Sequence, residues 1–291
     1  MNIALTGSSG LIGSKILKDL HDLDHEVLRI SSSHSCHKDN IFLYEELLSK
    51  EISFKADFVI HLASINSNLS ELEIPKEIEL LNKVIDCMVN LDCKNIIFFS
   101  TIKVYAENSF SQNLMGVNET FPKLPECFYG KAKERCEGAL IELSNKKNFN
   151  YYIFRLPPVL INQPKSSIGK LFWLVENGFP IPSFRIGDLN QRSFLHYELL
   201  SHVVKEVIEL GAISSSKILN IADSNPISTN DLLRRFGLSI NKKPRIIYLP
   251  NFLFKAMMRI NRLQLILCRL FGNFYLSNAK LKEEFKIPKH F

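Results

Sequence analysis

The amino-terminal end of the chain combines a short apolar run, a glycine-rich turn and the start of a helical pattern. Glycines stand at positions 7, 10 and 13, and apolar residues recur at helical spacing from residue 11 to residue 20. This spacing predicts a strand, a tight turn and a helix. Such a turn lets the backbone approach a diphosphate, and the first turn of the helix offers amide hydrogens to an anion. We therefore predict a dinucleotide site here, with a turn that binds no ligand as the alternative. The expected contacts are Gly7, Ser9, Gly10, Leu11, Ile12 and Gly13.

Composition places the chain among ordinary globular proteins. Its 291 residues are 46% hydrophobic and 23% charged, with no apolar run long enough to cross a bilayer and no signal-peptide pattern. We therefore expect a cytoplasmic protein. The six cysteines form no Cys-x-x-Cys pair, so neither a disulfide framework nor a zinc site is expected. We interpret the crowded residues 34–37 as a polar loop and predict no bound metal.

The net charge of +6 is distributed unevenly. Residues 226–291 contain 13 Lys and Arg against 3 Asp and Glu, whereas the preceding residues contain 23 against 27. Such a bias is typical of an anionic ligand, a nucleic acid or an anionic membrane surface. No nucleic acid is expected, but residues 251–272 predict an amphipathic helix that makes peripheral membrane contact or packs on the substrate lobe. Its basic face consists of Lys255, Arg259, Arg262 and Arg269, and the apolar residues elsewhere on it are Leu253, Met257, Ile260, Leu263, Leu267 and Leu270.

Apolar strands alternate with amphipathic helices along residues 1–222. After the first strand and helix, strands are predicted at 26–30, 41–44, 57–63, 95–99, 151–156 and 217–222, and helices at 76–92, 129–143, 167–177 and 197–210. This alternation predicts an α/β fold with a doubly wound parallel sheet of the Rossmann kind. We predict an NAD(P)-binding domain at residues 1–160, with 193–223 contributing a late helix and strand. A smaller C-terminal substrate-binding lobe is predicted from residues 161–192 and 224–291.

Small or polar residues follow the predicted strands, at the edge where open α/β sheets bind ligands. Strand 26–30 ends at Ser31, where NAD-specific folds carry an acid for the adenosine ribose, and Arg29 is nearby. The missing acid favours NADP(H), with NAD(H) as the alternative. Strand 57–63 brings Leu62 and Ala63 towards the cofactor, and Thr101 follows strand 95–99 at the same edge.

Tyr129 and Lys133 stand four residues apart in a predicted helix. They therefore lie on one helix face and can act on the same ligand. A tyrosine is a poor proton carrier at neutral pH because its pKa is about 10, so we expect the positive Lys133 to lower the pKa of Tyr129.

Four motifs in this order resemble the extended short-chain dehydrogenase/reductases, the NAD-dependent epimerase/dehydratase family of nucleotide-sugar enzymes. They are residues 6–13, Thr101, Tyr129-x-x-x-Lys133 and the run Leu156-Pro157-Pro158. Residues 100–104, 190–194 and 276–281 further resemble bacterial UDP-4-keto-6-deoxyhexosamine reductases. Those enzymes supply sugars for surface polysaccharide such as O-antigen, capsule and lipopolysaccharide.

The resemblance implies roles for individual residues. Thr101, Tyr129 and Lys133 are the implied catalytic residues: Tyr129 donates the proton, Lys133 also binds the nicotinamide ribose, and Thr101 donates to the substrate or tyrosine oxygen. The remaining implied contacts are Leu156 and Pro157 with the cofactor, and Lys103 and Arg192 with the substrate, where an arginine that only anchors a loop is the alternative for Arg192.

The implied function is NADPH-dependent reduction of a UDP-linked 4-keto-6-deoxyhexose or hexosamine. An NAD-dependent UDP-hexose or UDP-N-acetylhexosamine 4-epimerase is the first alternative, because the same catalytic residues serve both reactions. A non-catalytic NADP-binding regulator is the second, although the retained catalytic residues argue against it. Dehydration is disfavoured because Ile102 and Lys103 stand where family dehydratases carry an Asp-Glu pair. We expect a homodimer.

Overall fold

The computed structural model describes residues 1–33, 36–49, 52–65, 69–106, 114–163 and 166–288. Its strands are β1 (Asn2–Thr6), β2 (Glu26–Ser31), β3 (Ile41–Leu43), β4 (Phe58–His61), β5 (Asn95–Thr101), β6 (Leu114–Val117), β7 (Asn150–Leu156), β8 (Val159–Leu160), β9 (Pro180–Ser183), β10 (Leu195–His196), β11 (Lys217–Asn220), β12 (Arg245–Tyr248) and β13 (Phe274–Leu276). Its α-helices are α1 (Gly13–Asp22), α2 (Tyr44–Ser49), α3 (Ile74–Asn90), α4 (Phe128–Lys147), α5 (Ser167–Glu176), α6 (Tyr197–Glu209), α7 (Thr229–Ser239), α8 (Asn251–Met257), α9 (Asn261–Phe271) and α10 (Ala279–Glu284).

Seven strands form one sheet, in the order β11-β7-β5-β4-β1-β2-β3. β1 pairs in parallel with β2 and β4, β2 with β3, and β4 with β5. Every residue of β4 is buried, and the strand is apolar from Phe58 to Ile60 because helices cover both faces of a parallel sheet. The predicted α/β fold with a doubly wound parallel sheet is confirmed.

The strand order reverses beside β1, between β1 and β4. Thr6 ends β1, His61 ends β4, and the two residues are register partners. Ligands of open α/β sheets bind at the carboxyl ends of the strands where the order reverses. The topology therefore places the candidate site beside the glycine-rich turn that follows Thr6.

The chain divides into two compact units. Unit 1 comprises Met1–Val104, Lys123–Arg155 and Ser201–Leu219, and unit 2 comprises Tyr105–Pro122, Leu156–Leu200 and Asn220–Phe291. Unit 2 thus includes residues 105–122, 156–160, 193–200 and 220–223, which the predicted division placed with the NAD(P)-binding domain. The assignment of cofactor to one domain and substrate to the other stays a prediction.

Residues 251–272 form two helices, α8 and α9, so the prediction of one continuous helix is wrong. The break lies at Ile260, whose backbone is extended (φ −105°, ψ 110°). Both helices turn apolar side chains towards one cluster within unit 2, which is built around Phe184, Leu267 and Phe271 and includes Leu253, Met257 and Leu270. An extended residue cannot continue a helix, so α8 and α9 are separate helices, and side chains of both pack on this cluster.

Candidate active site

The glycine-rich turn lies directly against the end of β4. Gly7 has a φ of +72°, which side-chain-bearing residues rarely adopt, and a Cβ atom there would lie 2.7 Å from the Ala63 amide nitrogen. That amide donates a hydrogen bond to Thr6 Oγ1 at 3.2 Å. The structure therefore brings together Gly7, Leu62 and Ala63, which the sequence analysis placed on one cofactor site.

The turn ends at the amino terminus of α1. The Gly10 amide donates to the Gly7 carbonyl at 3.0 Å, and a Cβ atom on Gly13 would lie 2.1 Å from the same carbonyl oxygen. Ser9, Leu11 and Ile12 lie in this turn, and the first turn of α1 carries no acidic residue. The amino terminus of a helix without a carboxylate suits a bound pyrophosphate.

A second observation supports a dinucleotide at this place. The Ser64 hydroxyl, in the segment after β4, is buried and has no hydrogen-bond partner among the described residues. Buried hydroxyls are normally satisfied, so an unpaired one beside the glycine-rich turn indicates a polar ligand. The glycine-rich turn and Ser64 fit the pyrophosphate and ribose part of a nicotinamide dinucleotide. Ser64 was not among the residues predicted from the sequence.

His61 has a structural position at the end of β4. Its Nδ1 atom is hydrogen-bonded to Thr6 Oγ1 at 2.7 Å, and burial lowers the pKa of its imidazole to about 3. The ring is therefore neutral at physiological pH. It ties the ends of β1 and β4 together and carries no charge into the site.

Thr101, Lys103 and Tyr129 lie in one cluster. Thr101 ends β5, and its hydroxyl oxygen accepts a hydrogen bond from the Lys103 amide at 3.3 Å. The Lys103 ammonium lies over the Tyr129 ring, 5.5 Å from its centroid. Lys103 was predicted to contact the substrate, and the structure places its charge beside the predicted proton donor.

The position of Tyr129 depends on the glycine that follows it. A Cβ atom on Gly130 would lie 2.2 Å from the Lys103 carbonyl oxygen, so α4 begins in direct backbone contact with residues 102–104. The Cys127 sulfur accepts a hydrogen bond from the Gly130 amide at 3.4 Å and caps the helix. Only glycine permits this approach, which holds Tyr129 beside the end of β5.

We predict that Gly130→Ala destabilises the protein by about 1–3 kcal/mol, because the added methyl group must push α4 away from Lys103. Gly138→Ala in the same helix is a matched control, since a Cβ atom there meets nothing within 4 Å. The control is expected to stabilise the protein by about 0.5–1 kcal/mol, because alanine favours the helix. Urea denaturation measures both values. Equal effects of the two substitutions would contradict the close approach at Gly130.

Lys133 forms a buried ion pair that the sequence analysis missed. Its ammonium nitrogen lies 3.1 Å from Glu77 Oε1, and both side chains are 2% exposed. Glu77 comes from α3, and its other oxygen accepts a hydrogen bond from the Ile65 amide at 2.9 Å. The Lys133 ammonium also lies 4.9 Å from the centroid of the Phe98 ring. Glu77 is one of two glutamates in α3, and nothing in the sequence distinguishes it from the exposed Glu79 as the partner of Lys133.

The ion pair changes the expected protonation of the site. Burial raises the pKa of Tyr129 above its ordinary value, outweighing the opposing effect of the positive Lys133, and the negative Glu77 raises it further. Lys133 lowers the pKa of Tyr129, as expected, but burial has the larger effect, so the net shift is upward. Burial tends to lower the pKa of Lys133, but Tyr129 and Glu77 raise it above its ordinary value. At neutral pH both Tyr129 and Lys133 are protonated.

A second buried ion pair holds α4 on the sheet. Glu137, four residues after Lys133, accepts hydrogen bonds from Arg155 Nε at 3.0 Å and from an Arg155 terminal nitrogen at 2.7 Å. The hydroxyl of Ser100, the neighbour of Thr101 in β5, donates to Glu137 at 2.6 Å. This bidentate arrangement links α4 to β5 and β7 and fixes the helix face that carries Tyr129 and Lys133.

Three predicted contacts belong to unit 2. Leu156 ends β7, Pro157 follows it, and both are buried. Arg192 is 4% exposed, and one of its terminal nitrogens donates to the carbonyls of Cys268 at 3.3 Å and Gly272 at 3.1 Å. Arg192 thus anchors the carboxyl end of α9. Its contact with a substrate diphosphate stays a prediction.

Ser31 lies at the carboxyl end of β2, as predicted, and its hydroxyl oxygen accepts from the Ser33 amide at 3.3 Å. The Arg29 guanidinium donates to the Asp39 carbonyl at 2.8 Å and 3.2 Å, so part of its hydrogen-bonding capacity is used within the protein. Of the crowded residues at 34–37, His34 and Ser35 lie outside the described part of the chain. Within that part, no group of three or more metal-ligating side chains is placed to hold an ion.

The chain is similar in sequence and in fold to known proteins. The model of the NAD dependent epimerase/dehydratase family matches residues 3–222. A UDP-glucose 4-epimerase of Vibrio cholerae is 23% identical over 300 residues, covering 97% of this chain and 89% of the relative. The crystal structure of a UDP-N-acetylglucosamine 4-epimerase from Bacillus cereus has a TM-score of 0.78 at 17% identity, covering 100% of this chain and 94% of its own. A human epimerase family protein solved with NADPH has a TM-score of 0.73 at 15% identity, covering 100% and 96%.

Proposed function

Because the chain belongs to the NAD dependent epimerase/dehydratase family, as the match over residues 3–222 establishes, we propose that it reduces the C4 ketone of a UDP-linked 4-keto-6-deoxyhexose or hexosamine. The observation that carries this proposal is Ser31 at the end of β2, where NAD-specific folds carry an acid. A site suited to NADP(H) favours reduction, because a reductase consumes a diffusible NADPH. Tyr129 lies beside Lys103 and its helix also carries Lys133, which is paired with Glu77, so the residues that would donate and stabilise a proton are in one unit. The product would serve as a sugar donor for surface polysaccharide.

The chain's own residues have distinct roles in this reaction. A bound reduced nicotinamide dinucleotide would supply the hydride. Tyr129 gives its proton to the C4 oxygen as the carbonyl becomes an alcohol, and the Lys133 ammonium stabilises the resulting phenolate until solvent restores the proton. The Thr101 hydroxyl donates to the same substrate oxygen and shares its developing charge. The amides of residues 7–13 and the Ser64 hydroxyl would hold the cofactor.

A C4 epimerase is the second candidate, and the relatives named UDP-glucose and UDP-N-acetylglucosamine 4-epimerases support it. An epimerase keeps its nicotinamide dinucleotide bound through oxidation and re-reduction, which favours tightly held NAD. The missing acid at Ser31 argues against NAD and hence against this candidate. The same residues would otherwise serve both reactions.

The decisive experiment supplies the purified protein with NADPH and a UDP-4-keto-6-deoxyhexosamine that a dehydratase generates in the same tube. We expect one NADPH oxidised per ketone consumed, and oxidation about 10²–10⁴-fold slower with the Tyr129→Phe variant. Interconversion of UDP-hexoses or UDP-N-acetylhexosamines at C4 without net cofactor oxidation would establish the epimerase instead. Cofactor binding with neither reaction would favour the non-catalytic regulator.

We further propose that the cofactor is NADP(H), because Ser31 ends β2 where NAD-specific folds carry an acid. Ser31→Asp is expected to shift the ratio of the NADPH and NADH dissociation constants towards NADH by about tenfold or more, since a carboxylate repels the 2′-phosphate and accepts from the ribose hydroxyl. Ser31→Asn is the uncharged control of the same shape. Fluorescence titration measures both constants. Tighter binding of NADH than NADPH by the unsubstituted protein would contradict this assignment.

A further inference from the structure

The outer sides of α8 and α9 carry large apolar side chains into solvent. Phe252 is 67% exposed, Ile260 54%, Leu265 45% and Ile266 51%. These residues come from a segment of 22 residues, 251–272. Other apolar side chains of the segment pack on the Phe184 cluster, namely Leu253, Phe254, Met257, Met258, Leu267, Leu270 and Phe271. The exposed apolar groups are therefore additional to those that the fold of unit 2 needs.

The same outer sides carry a matching set of basic residues. In α8, Lys255 stands three positions after Phe252. Arg259 stands four positions after Lys255, just beyond the end of the helix. In α9, Arg262 and Arg269 flank Leu265 and Ile266 with the same spacing of three and four. Phe252 and Lys255 therefore share one face of α8, and the four α9 residues share one face of α9, whereas Arg259 and Ile260 lie in the connection between the helices. We call these eight exposed side chains, four basic and four apolar, the α8–α9 outer face.

All the charged residues of this face are positive. Residues 251–272 contain Lys255, Arg259, Arg262 and Arg269 and no Asp or Glu. Among the helices of the described residues, none is long and apolar enough to cross a bilayer. A helix surface that combines exposed phenylalanine, leucine and isoleucine with arginine and lysine lies in the interface of an anionic membrane, with the apolar groups between lipid headgroups and the cations on the phosphates.

We propose that the α8–α9 outer face docks the protein on an anionic phospholipid surface. Two other occupants fit the face less well. A second copy of the chain, packed by two-fold symmetry, would place the same four cations against each other without a carboxylate to balance them. A nucleic acid would pair with the cations but would leave the four apolar side chains in water.

The internal anchoring of the two helices suits docking without refolding. Arg192 and Asn190 donate to carbonyls at the end of α9, and Thr229 also hydrogen-bonds to the Leu270 carbonyl. Leu267 and Phe271 hold the inner side of the same helix in the unit 2 core. The outer face is thus already formed, so binding would not require the helices to fold first.

Vesicle co-sedimentation of the 291-residue chain tests the proposal. We expect the protein to bind vesicles of phosphatidylcholine mixed with phosphatidylglycerol at low salt, and not vesicles of phosphatidylcholine alone. Binding is expected to weaken strongly in about 1 M salt, where the Debye length falls to about 3 Å. Equal binding to both kinds of vesicle, or none to either, would overturn the proposal.

Two double variants separate charge from apolar contact. Arg259→Glu with Arg262→Glu is expected to lower the partition coefficient on the order of tenfold or more, and Phe252→Ser with Ile266→Ser by a similar factor. Matched controls change exposed residues elsewhere: Lys170→Glu with Lys243→Glu for charge, and Leu210→Ser with Leu238→Ser for apolar contact. The controls are expected to bind as the unsubstituted protein does.

Thermal melting of each variant separates loss of binding from loss of folding, because all the substituted side chains are exposed and the melting temperatures should stay close to that of the unsubstituted protein. Unchanged binding of both outer-face variants, or equal losses in the controls, would overturn the proposal. So would a concentration-dependent dimer that the outer-face variants abolish while vesicles bind none of the protein. Retention by double-stranded DNA that competes fully with anionic vesicles and is insensitive to Phe252→Ser with Ile266→Ser would favour a nucleic acid instead.

Discussion

Replacing Tyr129 by Phe is expected to lower turnover of a 4-keto sugar by about 10²–10⁴-fold. The substitution removes the hydroxyl that donates the proton and keeps the ring that packs against Leu69, Ile74 and Ala132. Cofactor affinity should therefore change little. Single-turnover oxidation of NADPH measures the rate, and fluorescence titration measures the affinity.

A control for this prediction is Tyr151, a partly buried tyrosine near the start of β7 within the same unit. Tyr151→Phe removes the same atom away from the cluster and should leave turnover unchanged. If Tyr129→Phe kept a rate close to that of the unsubstituted protein on a confirmed substrate, another group would have to supply the proton, and the assignment of Tyr129 would be wrong.

Breaking the Glu77–Lys133 pair is expected to have the largest effect on stability. Both side chains are buried, so Glu77→Gln leaves an unpaired ammonium and Lys133→Met leaves an unpaired carboxylate in the interior. Each single substitution should cost about 3–5 kcal/mol of unfolding free energy. The double variant carries neither charge and should recover most of that loss. Urea denaturation of the four proteins measures this double-mutant cycle.

Activity and its pH dependence distinguish the two residues. The double variant is expected to be folded but inactive, because Lys133 no longer stabilises the Tyr129 phenolate. Glu77→Gln should retain some turnover but lose it at a lower pH than the unsubstituted protein does. Burial raises the pKa of Tyr129 and the Glu77 charge adds to that rise, so removing the charge lets Tyr129 lose its proton earlier as the pH increases.

A different outcome would assign Glu77 another role. If the pH profile of Glu77→Gln matched that of the unsubstituted protein, Glu77 would contribute only to folding. If the double variant were as unstable as the sum of the single variants, the two residues would not interact in solution. Glu79→Gln, two positions along the same helix, is a control that should change neither the pH profile nor the stability by more than about 0.5 kcal/mol.

Much of the arrangement around β1 was predictable because its causes are local in sequence. A tight turn from a strand into a helix needs a glycine with a positive φ and ends at the amino terminus of the helix. The glycine spacing from Gly7 to Gly13 therefore predicts the turn without any tertiary information. The four-residue spacing of Tyr129 and Lys133 likewise places them on one face of any helix that contains them. The continuous helix predicted at 251–272 failed because its apolar periodicity cannot show the extended backbone at Ile260.

The sequence by itself therefore determined the α/β class, the parallel sheet, the glycine-rich turn and the helix face that carries Tyr129 and Lys133, because residue spacing along one element encodes each of them. Only the tertiary structure decided that Glu77 of α3 meets Lys133 of α4, and that Gly130 touches the Lys103 carbonyl. Those contacts join residues far apart in the chain, at distances that helix packing sets. The raised pKa of Tyr129 follows from them, since it depends on burial and on a carboxylate from another helix, which residue spacing does not encode.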